Sequence, residues 1–194
     1  MGFELKGKVV FLATGNIHKF NEARAVLAEQ GLTAAMLRMK GVEIQSENLA
    51  EIAGTSALAT FKECHLPIIV EDAGLFVYAL KGFPGPYTAY VYNTIGNAGL
   101  LKQMENLLNR QATFRSAVAY CDNLSGAVTC FEGEAAGELT HIQRRGGRAT
   151  FGFDPIFKPD CTDKTFAEMT LEEKNKFSHR AKAIRKFAEW YKST

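Results

Sequence analysis

Two short apolar runs, each closing on polar residues, restrict this chain more than any other feature. The first, Val9-Val10-Phe11-Leu12-Ala13, gives way at once to Thr14-Gly15-Asn16. A run this short, bounded by turn chemistry, reads as a buried strand over Lys8 to Thr14. Behind the turn, Phe20, Ala23, Val26 and Leu27 recur at helical spacing, and Gly31 stands just past the end of that helix. The second run, Pro67-Ile68-Ile69-Val70, closes on Glu71 and Asp72. Between the two, Ala34 to Met39 fits a strand, and Ile52, Ser56, Ala59 and Phe61 fit a helix that starts near Leu49 and ends before Pro67. This opening predicts an α/β fold with a largely central sheet.

The middle of the chain is more β-like. A helix over Gly96 to Leu108 precedes three alternating segments, Thr113 to Cys121, Ala127 to Glu132 and Glu134 to Ile142, with Ser125-Gly126 as a hairpin signal. Gly82-Phe83-Pro84-Gly85-Pro86-Tyr87 reads as a rigid structural turn. Near the C-terminus, Thr170 and Glu173 form a capping box, Ser178 can cap a second helical segment, and Phe177, Ala181, Ile184, Ala188 and Tyr191 make one apolar face along this region. The expected architecture is a mixed, twisted sheet flanked by helices, in two lobes with a central cleft.

Composition narrows the class. The 194 residues, 46% hydrophobic and 23% charged, suit one globular domain over 1–194 with no linker. No apolar run is long enough to span a bilayer, and Met1 to Lys6 lacks the features of a secretory signal, so a cytoplasmic protein is expected. A net charge of +2 disfavours a polymeric nucleic acid as partner. Cys64, Cys121, Cys130 and Cys161 lack CxxC spacing and read as reduced thiols.

Four segments carry chemistry. Thr14-Gly15-Asn16-Ile17-His18-Lys19 lies where a strand turns into a helix, a natural phosphate site, with Thr14 and Asn16 as added side-chain donors and Lys19 reaching an anion in front. The spacing is not that of a Walker A loop. Glu71 and Asp72, at the end of an apolar strand, are costly there unless solvated, paired or bound to a metal, and Glu43 could add a third carboxylate. Hard oxygen donors of this kind suit magnesium, which accompanies triphosphates. In Phe151-Gly152-Phe153-Asp154, an aromatic beside a glycine can stack on a base, and Asp154 can accept from a base N–H. Lys174, His179 and Arg180 supply cationic donors for phosphates or keto oxygens. Each segment alone also has an ordinary structural reading: a capped helix, a turn, core aromatics, a solvated basic face.

Taken in order, EDAGL, FPGPY, FGFDPIF and SHRAKA resemble the inosine triphosphate pyrophosphatase family (XTP/dITP diphosphatases), and the resemblance runs from about Lys8 to Tyr191. It implies an elongated α/β fold, a homodimer, and magnesium-dependent hydrolysis of ITP, dITP or XTP to the monophosphate and pyrophosphate. By the same resemblance, Thr14, Gly15, Asn16 and Lys19 bind phosphate, Ala73 contacts the substrate, Glu43 and Asp72 hold the metal, and Asp72 is the general base. Phe151, Gly152, Phe153, Asp154, His179 and Arg180 then form the base pocket, and Lys174 is a second phosphate lysine. One departure is Ser56, where many members carry a lysine. Two other readings stay open: a pyrophosphatase for methylated or pyrimidine nucleotides, and a nucleotide-sensing or RNA-binding module without catalysis.

Overall fold

The first apolar run forms β1 (Val9–Ala13), and the turn behind it is closed by Asn16, whose side chain accepts hydrogen bonds from the backbone N–H groups of His18 and Lys19 at 3.0 and 3.2 Å. That cap satisfies two of the donors a helix start leaves exposed, and α1 (Ile17–Glu29) follows with Phe20, Ala23, Val26 and Leu27 buried. β2 (Thr33–Leu37) pairs parallel with β1 and stops two residues short of the expected Met39. α2 (Leu49–Cys64) starts behind an Asn48 cap. Its buried face runs through Ile52, Ala53, Ser56, Ala57, Thr60 and Phe61, whereas Ala59, expected on that face, is half-buried. The computed structural model describes residues 9–39, 41–122, 127–146, 151–160 and 162–194. Met1 to Lys6, Lys8, Cys161 and the Ser125-Gly126 hairpin signal fall outside the described residues.

β3 (Ile68–Val77) is longer than the sequence predicts and runs five residues beyond Asp72. The reason is a change of partner: Ile68 and Ile69 pair parallel with β1, whereas Leu75 and Phe76 pair antiparallel with β4 (Pro84–Gly85). Glu71 and Asp72 therefore sit mid-strand, between the two pairings, rather than at a strand end. α3 (Thr88–Thr94) was not expected, because Thr88-Ala89-Tyr90-Val91-Tyr92 is poor in strong helix formers. A tertiary clamp holds its start: the Thr88 hydroxyl donates to the Gly85 carbonyl at 2.6 Å and accepts from the Leu75 amide at 2.7 Å. α4 (Gly96–Gln103) ends five residues before Leu108. Just beyond it, the Arg110 guanidinium binds the carbonyls of Met104, Leu139 and Thr140, and its burial lowers its pKa.

β5 (Gln111–Cys121) matches its expected strand, but the two strands expected after it are one, β6 (Thr129–Leu139). Gly133 does not break it, since Gly133, Ala135, Gly137 and Leu139 continue one buried face at period two. β7 (Phe157–Pro159), unforeseen in the sequence, pairs antiparallel with β6. Among the described residues the strands form one mixed sheet in the order β2-β1-β3-β5-β6-β7, with β4 on β3. The chain ends in α5 (Leu171–Phe177), started by the Thr170–Glu173 capping box, and α6 (His179–Ser193). A second box, Thr165–Glu168, starts the short turn before α5.

Two compact units share the chain. The first comprises Met1–Asp72, Ala117–Glu132 and Ala181–Thr194, and the second Ala73–Ser116 and Gly133–Arg180. The chain passes from one to the other inside β3, β5, β6 and α6. Val10, Leu12, Val26, Leu27, Ile69, Val118, Ile184 and Phe187 make up much of the first core. The second is built on Leu75, Leu100, Met104, Phe114, Ile156, Phe157 and Phe166. Among the described residues no helix is long and apolar enough to cross a membrane.

Candidate active site

The first unit holds Thr14, Gly15, Asn16 and Lys19, four of the residues expected to meet phosphate. The Thr14 amide donates to the Leu37 carbonyl at 2.9 Å and the Asn16 amide to the Thr14 hydroxyl at 3.1 Å, which fixes the turn in front of α1. The Asn16 side-chain oxygen accepts from the helix start, which leaves its amide nitrogen as the donor expected of it. Lys19, in the first turn of α1, lies 3.0 Å from the Glu71 carboxylate and donates to the Glu71 backbone carbonyl at 3.3 Å. Only 3% of the Glu71 side chain is exposed. A carboxylate so buried needs a cationic partner, and Lys19 is that partner.

Strand geometry then separates the two acids. Adjacent residues of β3 point to opposite faces, so Asp72 presents its carboxylate away from the side that Glu71 uses, and it remains half-buried. Glu43 is exposed on the irregular stretch between β2 and α2. That stretch lies against α2 at Gly41, where an added methyl group would collide with the hydroxyls of Ser56 and Thr60. Ser56 is thus a buried, small residue under the Glu43 segment, and Lys62 is exposed two turns on. Among the described residues no cluster of three or more His, Cys, Asp or Glu side chains is preassembled for a metal. A pair of carboxylates still fits magnesium, which takes one or two from the protein and fills its shell with water and substrate phosphate.

The second unit holds the aromatic and cationic residues. The Phe151–Asp154 turn is closed by the Asp154 amide donating to the Phe151 carbonyl at 3.1 Å. Gly152 has φ +54, a left-handed conformation that a residue with a Cβ adopts at a cost. Phe153 points into the core, with Tyr92 edge-on at 5.5 Å. Phe151 stays half-buried, with the Lys174 ammonium 5.7 Å and the Arg180 guanidinium 5.9 Å from its ring centre. Lys174 is bound by the Asp154 carboxylate at 2.6 Å, with 1% and 7% of the two side chains exposed. His179 stacks on Phe114 at 4.7 Å and 9°, which sets the plane of its ring.

Of the expected residues, Lys19 meets Glu71, and Phe151, Asp154, Lys174 and Arg180 converge. Lys174, expected at phosphate, is paired with the Asp154 carboxylate. Ala73 is half-buried on β3 next to Asp72. Sequence reasoning missed Phe114 and Phe166, which orient His179 and Lys174; one in an alternating strand and one in a largely polar segment, neither carries a sequence signal of its own.

Residues 10–190 match the Ham1 family. A dITP/XTP pyrophosphatase of Methanopyrus kandleri is 50% identical over 96% of this chain and 97% of its own length. Its counterpart in Hyperthermus butylicus is 45% identical, covering 96% of each. The Staphylococcus aureus Ham1 protein superposes with a TM-score of 0.80 at 26% identity, over 96% of this chain and 99% of that one. A HAM1 protein from Coxiella burnetii gives 0.81 at 25% identity, over 96% and 100%. With the match running through β1, the acids of β3, the Phe151–Asp154 turn and most of α6, this chain belongs to the Ham1 family.

Proposed function

We propose that the chain hydrolyses non-standard purine nucleoside triphosphates, dITP, XTP and ITP, to the monophosphate and pyrophosphate, as a magnesium-dependent cytoplasmic homodimer. The observation that carries this reading is full-length similarity at 50% identity to a dITP/XTP pyrophosphatase. It is supported by Lys19 paired with Glu71 of β3 in one unit and by the cation-rich aromatic turn in the other.

In this reading, Glu71 holds the Lys19 ammonium in place to offset triphosphate charge. Asp72 accepts a proton from the attacking water as its oxygen bonds to the α-phosphorus. The α–β anhydride bond breaks and its electron pair leaves with pyrophosphate. Glu43 and Asp72 are the carboxylates suited to magnesium, which when bound would neutralise phosphate charge. Catalysis of this kind is mostly positioning and electrostatics.

Base selectivity belongs to the second unit. Hypoxanthine and xanthine carry a 6-keto acceptor where adenine carries an amino donor. Arg180 and His179 donate to the keto group and would be left facing a donor by adenine, which is costly for buried groups. Phe151 offers its ring for stacking. Asp154 engages Lys174, so that lysine is assigned to the base side rather than to phosphate.

The homodimer is supported by exposed rings close together in sequence, Tyr78, Phe83, Tyr87 and Tyr90, with Ile95 after them. Sedimentation of the wild type and of Tyr90→Glu tests it: a dimer that the variant weakens supports this face, and a monomeric wild type removes the proposal. The catalytic reading is tested by a panel of dITP, XTP, ITP, GTP and ATP with magnesium or chelator. Selective, chelator-sensitive hydrolysis of the first three is expected. Equal turnover of ATP, or chelator-insensitive turnover, would overturn the assignment of base or metal.

A further inference from the structure

The base-side turn is anchored by a helix that the proposed chemistry does not use. α4 begins at Gly96 (φ +62), where the chain leaves α3, and its second residue is Asn97. The Asn97 side-chain amide donates from Nδ2 to the Gly152 carbonyl at 3.2 Å, across 55 residues of sequence. That carbonyl belongs to the peptide between the left-handed Gly152 and the buried Phe153. Phe153 is itself met edge-on by Tyr92 of α3. Asn97 Oδ1 is shielded from solvent and has no hydrogen-bond partner among the described residues, so the donor is the polar function this side chain serves.

A glycine peptide can rotate between conformations at little cost, and a turn carrying Gly152 would sample several. One long-range hydrogen bond to its carbonyl selects a single orientation, and with it the direction in which Phe151 leaves the backbone. We infer that Asn97 is a positioning residue for base recognition: its amide fixes the Gly152 carbonyl so that the Phe151 ring is preformed before a purine arrives. Preorganisation of this kind strengthens binding by removing an ordering cost. The inference rests on the reading of Phe151–Asp154 as the base side.

The test compares Asn97→Ala, Asn97→Asp and Asn97→Gln with the wild type. Asp keeps the shape of Asn but loses the donor, while Gln keeps the donor on a longer arm. Hydrogen exchange of the segment 151–156, measured on the enzyme without substrate, should accelerate about 3- to 10-fold in the Ala and Asp variants. The rest of the chain should exchange as in the wild type. KM for dITP should rise by a similar factor with kcat within about twofold, the preference for dITP over ATP should fall, and Gln should recover part of the loss. Unchanged exchange at 151–156 in both variants would overturn the inference. So would a wild-type-like Asp variant beside an impaired Ala variant, since shape rather than the donor would then matter. Accelerated exchange along the whole chain would overturn it too, as the sign of a general structural role. If the wild type does not distinguish dITP from ATP, the base-side reading fails, while the exchange data still decide whether Asn97 fixes the turn.

Discussion

Replacing Asp154 by Asn tests the energetics of the buried Asp154–Lys174 pair most sharply. The Lys174 ammonium lies 2.6 Å from the Asp154 carboxylate, with only 1% of the lysine side chain exposed. Around it stand the rings of Phe166 at 5.2 Å and Phe151 at 5.7 Å, which attract a cation but cannot neutralise it. Asp154→Asn keeps the shape and removes the carboxylate charge 2.6 Å from the buried ammonium. Breaking a buried pair in this way costs about 3–5 kcal/mol. For a chain of this size each kcal/mol moves Tm by roughly 2–4 °C, so Tm should fall by roughly 6–20 °C. Thermal and urea unfolding of Asp154→Asn, Lys174→Met and Asp154→Leu/Lys174→Met measure this. The double variant, with both charges replaced by apolar side chains, should recover most of the loss, because a well-packed apolar pair is often as stable as the ions it replaces. A single variant within about 1 kcal/mol of the wild type would refute the reasoning. So would a double variant as unstable as the sum of the singles.

Other perturbations separate the remaining roles. Lys19→Met should lower kcat for dITP about 100-fold or more, as loss of a preorganised cation does, and steady-state kinetics would show it. Gly152→Ala should cost roughly 1–2 kcal/mol of stability, read by urea unfolding; among the described residues nothing stands in the way of a methyl group, so the cost is that of the left-handed backbone. The pH dependence of stability should carry the two capping boxes. The Thr165 backbone N–H lowers the pKa of Glu168, and the Lys164 ammonium, then the Thr170 backbone N–H, lower that of Glu173. Because both pKa values are depressed on folding, their stabilisation is present above the unfolded carboxylate value. It is lost as pH falls through the folded values. Glu168→Gln/Glu173→Gln should therefore lose less stability than the wild type between about pH 5 and pH 3, followed by Tm.

Much of the fold was legible because local chemistry and tertiary packing agree. β1, α1 and the Thr170–Glu173 cap follow directly from apolar run, helical spacing and cap residues. The failures occur where distant partners decide. β3 runs past its acids because β4 supplies new pairing at Leu75 and Phe76, and α3 forms on the Thr88 clamp despite weak propensity. Gly133 looked like a break but occupies a buried position of a continuous strand. In the candidate site, residue types were legible but their pairings were not. The sequence marks Lys19, Glu71, Asp154 and Lys174 as charged, yet only the fold joins the first to the second and the third to the fourth.

The central claim is attack of water at the α-phosphorus with loss of pyrophosphate, and hydrolysis of dITP in ¹⁸O-labelled water tests it directly. The account predicts that the label appears in dIMP and that pyrophosphate forms unlabelled in equal amount. Label in pyrophosphate, or release of single phosphate with dIDP, would contradict it.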